Sequence, residues 1–117
     1  MIRPLFAEID AGKIDAVTST ITLLEVLVLP FKTENESLAE EYRDILLHAE
    51  GLTTYEIVHE VSELSSKLRA KYAIRTPDAI QIATGIIYGA DTFLTNDSGL
   101  KKVKDIRVVI LEDFLKK

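Results

Sequence analysis

The chain of 117 residues contains no cysteine, which rules out disulfides and any thiolate zinc site and fits a cytoplasmic protein. It has no apolar run near the roughly 18 residues that a membrane span requires. The longest candidate, ITLLEVLVLP from Ile21 to Pro30, is interrupted by Glu25. The opening MIRPLFAEIDAGK takes on acids early and lacks the apolar core of a signal peptide. There is no glycine-rich phosphate loop, and Gly85 and Gly89 do not make a nucleotide-binding fingerprint. His48 and His59 fall in separate helical stretches without metal-ligand spacing. Repeats, linkers and low-complexity tracts are absent as well. Nor is there an excess of basic residues: the net charge of -5 argues against duplex DNA binding driven by charge. It leaves a nucleic-acid enzyme open, because a metal-binding acid cluster itself makes the sum negative.

What remains is enough for one packed domain over residues 1–117, and the 47% apolar content decides against disorder. Leu5, Phe6 and Ile9 predict a helix over Arg3–Ala11, stopped at Gly12. Ile14–Thr18 is rich in branched residues and reads as a strand running into a cap at Ser19-Thr20. The helix holding Glu25 follows, ending in the Pro30 region. Leu38, Tyr42, Ile45 and Leu46 predict a helix over Ser37–Ala49, and Leu52–Tyr55 a strand. A long amphipathic helix spans Ile57–Tyr72. The next starts at Thr76-Pro77-Asp78, with Thr76 as cap and Pro77 in the first turn, and runs to about Gly89. Thr92–Thr95 is a strand, Asn96–Gly99 a turn and Arg107–Leu111 a final strand. Strands alternating with helices imply an α/β fold with a parallel sheet flanked by helices on both faces.

Ligands of parallel α/β sheets gather at the carboxyl ends of the strands, and three acids fall there. Asp97 follows TFLT directly, Asp78 lies in a first helical turn, and Glu25 lies about two turns into the helix after the first predicted strand. That helix is apolar nearly all round, so it is expected to be buried, and a buried carboxylate needs a cation or hydrogen bonds. Converging carboxylates repel unless a divalent ion lies between them, and hard oxygen ligands favour Mg²⁺ or Mn²⁺. Each acid has a plainer reading too. Asp78 complements a helix dipole, Asp97 in NDSG serves as a turn or cap residue, and Glu25 is bonded to a hydroxyl or an arginine. Lys67, Arg69, Lys71 and Arg75, like Lys101, Lys102 and Lys104, either meet phosphates or form a solvated face.

Three segments, STITLLEVLVLP, RTPDAIQIATGIIYGADTFLTND and the closing VVIL, together resemble the PIN-domain ribonucleases, particularly the VapC-type toxins. The similarity runs from about Ile14 to Leu111. The resemblance implies a PIN-like three-layer fold in which Glu25, Asp78 and Asp97 are metal and catalytic acids. Thr95 and Asn96 would border the site, and Ser19 would begin the loop leading to Glu25. It implies Mg²⁺- or Mn²⁺-dependent hydrolysis of single-stranded or structured RNA, tRNA among the candidates, together with a cognate antitoxin and a homodimer. Ala79, Ala83 and Gly85 would let their helix pack close to the sheet.

Family members normally open with a strand ending in an aspartate, and this chain begins at the helix that usually follows it. Asp10 is no substitute, because it precedes Gly12 at a helix end. The resemblance therefore implies an absent central strand and a gap in a sheet of order 3-2-1-4-5. A start codon placed too far downstream would explain it, as would a truncated gene. The alternative to a nuclease is a PIN remnant that binds a partner or dimerises, with the gap open to strand addition. A receiver-like phosphoacceptor domain is set aside, because VVILEDFLKK offers only distant lysines.

Overall fold

A computed structural model describes residues 15–111. The helix expected over Arg3–Ala11, with its stop at Gly12, lies outside the described residues. The chain divides into two compact units, Met1–Glu56 and Ile57–Lys117.

In the first unit, strand β1 spans Ala16–Ser19, and its branched Val17 and Thr18 favour extended backbone. Ser19 keeps that extended backbone, and its Oγ accepts the N–H of Ile21 at 3.3 Å, which caps helix α1, Thr20–Lys32. The chain thus passes from strand into helix directly, where the resemblance led us to expect a loop. Pro30 sits in the last turn, where it cannot donate to the carbonyl four residues back, yet the helix runs on to Lys32. Asn35 then caps helix α2, Glu36–His48, by accepting the N–H of Leu38 at 3.1 Å. Strand β2, Leu52–Tyr55, pairs in parallel with β1, Ala16 opposite Leu52 and Ser19 opposite Tyr55. Ala39 and Leu46 are the buried residues of α2, and the hydroxyl of Thr54 donates to the carbonyl of Leu46.

Helix α1 corrects one expectation. It is not buried all round: Leu24 is 60% exposed, Leu29 62% and Phe31 53%, and Glu25 is exposed beside them. Pro30 is its only buried residue. Packing against β1 and α2 occupies one side of the helix. The stripe Leu24, Val28, Phe31, at helical spacing, is left to solvent.

The second unit is built on two long helices packed together, α3, His59–Tyr72, and α4, Thr76–Ile87. Val61, Ser65 and Leu68 form the buried stripe of α3, and Ala79, Ile82 and Ala83 lie in that of α4. The buried hydroxyls bond back one turn, Ser65 to the carbonyl of Val61 at 2.7 Å and Thr84 to that of Ile80 at 2.7 Å. Helix α3 stops at Ala73, a non-glycine residue in the left-handed region (φ 53°) whose N–H reaches the Arg69 carbonyl. Arg69 Nε donates to the carbonyl of Ile74 at 3.0 Å, which fixes the reversal. Thr76 is not the cap of α4. Arg75 holds that position with extended backbone and no side-chain cap bond, and Thr76 and Pro77 open the helix.

A turn through Gly89 (φ 85°) leads to strand β3, Thr92–Thr95. A 3₁₀ helix, Ser98–Lys102, returns the chain to strand β4, Arg107–Ile110. These strands are parallel, Thr92 opposite Arg107 and Thr95 opposite Ile110. Leu100, Val103 and Ile106, from the return segment, join the core of the two helices. The parallel, helix-flanked α/β architecture is as expected, with the described strands in two separate two-stranded sheets, β1–β2 and β3–β4.

Candidate functional site

Two of the expected acids belong to the second unit. Helix α4 reverses through the turn at Gly89 into β3, so its first turn and the carboxyl end of β3 lie at the same end of that unit. Asp78 is in that first turn, half-buried, and its Oδ2 lies 3.5 Å from Nε of Arg75. Arg75 was visible in the sequence as part of a basic segment, but its partner was not. The spacing i,i+3 at a helix start was the available signal.

Asp97 is placed by a tight chain of local bonds. Thr95, the last residue of β3, accepts the backbone N–H of Asp97 on its Oγ1 at 3.1 Å. Asp97 in turn caps the 3₁₀ helix, with Oδ1 accepting the N–H of Gly99 at 2.8 Å. A Cβ at position 99 would meet that oxygen at 3.0 Å, so a glycine is what lets the carboxylate close down on the turn. The turn-and-cap reading of Asp97 is therefore satisfied, and it engages one carboxylate oxygen. Asn96 is exposed beside it.

Glu25 and Ser19 belong to the first unit. Ser19 is fully buried, with its hydroxyl engaged as the cap of α1. Glu25, one turn and a half into the helix, is exposed, so no buried charge demands a cation there. Among the described residues, no group of three or more His, Asp or Glu side chains could hold a metal ion. The donor chemistry of Asp78 and Asp97, two hard carboxylates of the second unit, suits Mg²⁺ or Mn²⁺.

With this geometry in place, the chain can be set beside known proteins. The family model described as PIN domain matches residues 2–106. None of the curated proteins matches the chain. Among solved structures, the chain is similar to a toxin–antitoxin complex from Klebsiella pneumoniae, with 26% identity and a TM-score of 0.63. That similarity covers 78% of this chain and 69% of the other.

Proposed function

The chain belongs to the PIN-domain family, and from that premise we propose that it is a toxin-type nuclease that hydrolyses single-stranded or structured RNA with a divalent metal. The observation that carries the reading is the match over residues 2–106 together with two carboxylates, Asp78 and Asp97, at one end of the second unit. We assign Asp78, Asp97 and Glu25 as the acids that hold Mg²⁺ or Mn²⁺. When bound, such an ion supplies an activated water and stabilises the charge developing on the phosphate oxygens. The chain's own residues prepare the site. The Thr95 hydroxyl and the Gly99 N–H fix the backbone and one oxygen of Asp97, leaving its other oxygen to face a ligand. Arg75 pairs with the Asp78 carboxylate, an ion pair that a cation held by Asp78 would replace. Asn96 borders the site from the strand end, and Ser19 sets the start of the helix that presents Glu25.

The partner reading follows from the similar complex, which contains an antitoxin. We propose a cognate antitoxin for this chain as well, and a homodimer, working in the cytoplasm. The structure offers the exposed apolar stripe Leu24, Val28 and Phe31 in support of an interaction surface. No described helix is long and apolar enough to cross a membrane. That stripe also favours the second reading, a PIN-type binding module without catalysis.

The test is cleavage of a mixed-sequence single-stranded RNA with Mn²⁺, beside the Asp97→Asn chain and an EDTA control. Cleavage lost in both controls supports the nuclease. A folded chain that cuts nothing, or whose Asp97→Asn form cuts as well, overturns it in favour of the binding module.

A further inference from the structure

At the opposite end of the β3–β4 pair from Asp97 lies an open cleft of about 600 Å³. Its walls carry Lys101, Lys104, Arg107, Asp91 and Asp105 over a floor that includes Val103 and Ile106. The charges in it do not cancel. Asp105 is already engaged: it accepts the hydroxyl of Tyr72 and lies 3.6 Å from Nζ of Lys71. The Tyr72 hydrogen bond, helped by the Lys71 charge, holds the Asp105 carboxyl below its ordinary range, so it stays ionised and paired. Beside Asp91 and Asp105 stand three cations, Lys101, Lys104 and Arg107, none of which has an ion-pair partner among the described residues.

The backbone that carries these cations is also held in place. Tyr72 Oη accepts the backbone N–H of Lys104 at 3.2 Å while donating to Asp105, which ties the loop to helix α3. Arg107 opens β4, and Lys101 lies in the last turn of the 3₁₀ helix. In a chain of net charge -5, a cleft with a surplus of cations is a local exception. Strand β3 is four residues long, so the cleft lies about 13 Å along the strand from the Asp97 end.

We propose that this cleft binds backbone phosphates of the RNA, a few nucleotides away from the bond that is cut. The inference rests on the nuclease reading for the identity of the polyanion, while the cleft itself stands on the geometry above. Lys101 and Lys104 meet successive phosphates, and Arg107 offers a planar fork to one of them. Contacts of this kind position the strand without reading its sequence.

The experiment measures binding of a labelled mixed-sequence single-stranded RNA to the full chain by fluorescence anisotropy, in EDTA so that nothing is cut. The cleft variant is Lys101→Ala with Lys104→Ala. Its control is Lys32→Ala with Lys102→Ala, which makes the same charge change, and Lys102 adjoins Lys101 without lining the cleft. All four lysines are exposed, so folding should survive, and circular dichroism checks it. The cleft variant should bind about tenfold more weakly near 0.1 M salt, with a log–log salt slope shallower by about 1.4, and the control should match wild type. Equal affinity and slope for the two variants would overturn the proposal, as would equally tight binding of polyglutamate of matched charge. An overturned cleft with RNA cleavage intact leaves the nuclease standing. A chain that loses RNA binding with the cleft lysines but never cuts RNA upholds the cleft and sinks the nuclease.

Discussion

The two units use their apolar residues in different ways. In Ile57–Lys117, residues from α3, α4 and the return segment converge on one core, with Val61, Ile82 and Ala83 fully buried and Leu68 nearly so. In the described part of Met1–Glu56, the buried apolar side chains are Pro30, Ala39 and Leu46, while Leu24, Val28, Leu29, Phe31 and Leu47 stand in solvent. Yet the most apolar of the described helices, α1, lies in this unit. The difference teaches that hydrophobicity records a need for cover without saying what supplies it. In the second unit the fold itself supplies it. In the described part of the first it does not, and the proposed antitoxin is one partner that would cover these side chains.

Substitution can break this contrast. The largest effect is expected at Ile82, fully buried between the long helices, where Ile82→Ala should cost about 3–4 kcal/mol in urea denaturation. Leu24→Ala, at a position 60% exposed, should stay within about 0.5 kcal/mol. Comparable losses at the two positions would mean that α1 is covered after all.

A smaller effect sharpens the account of the second unit. Tyr72→Phe removes the bond that lowers the Asp105 carboxyl, and Lys71 alone would hold it less strongly. A carboxylate lowered by folding stabilises the protein above its unfolded pKa and loses that contribution as pH falls through the folded one. Wild type should therefore exceed the Phe variant by about 0.5–1 kcal/mol at neutral pH, a modest figure because the site is partly solvated. The gap should narrow steadily in acid, below the ordinary carboxylate range, in denaturation series run at stepped pH. A gap independent of pH would assign the whole effect to the Lys104 N–H bond instead.

An effect of similar size but opposite sign is expected at Gly85. A Cβ there would lie 3.5 Å from Ile106 Cδ1 and 3.6 Å from the Ala90 Cβ, both ordinary contacts. Gly85→Ala should thus stabilise helix α4 by about 0.5–1 kcal/mol, read as a small rise in melting temperature. A clear loss would restore the idea that close packing demands glycine at this position.

Much of the fold was legible because its signals are local. Branched runs marked the strands, Leu and Val spacing marked α3, and Thr76-Pro77-Asp78 placed the start of α4 to within a residue. The parallel pairing followed from the alternation of strands and helices. Burial was not legible for α1, since burial depends on which neighbours arrive, and periodicity says nothing about them when every face is apolar. The acids were visible as residue types, but the bonds that place Asp97 were not. They depend on Thr95 and Gly99 lying two residues to either side in a turn whose geometry the letters do not specify. Arg107 stood in the sequence only as the start of a strand and Asp105 not at all, because a cleft is made by return segments meeting and leaves no motif. The run KKVKDIR was its only trace.

The cap at Asp97 has an evolutionary consequence. An asparagine there keeps a side-chain oxygen that can accept the Gly99 N–H, so the turn survives while the charge disappears. An aspartate codon becomes an asparagine codon by one nucleotide change. If the charge at position 97 carries the chemistry, a silent chain that still folds and still meets its partners is a single mutation away. That short route gives a lineage an easy way to keep the scaffold after discarding the reaction.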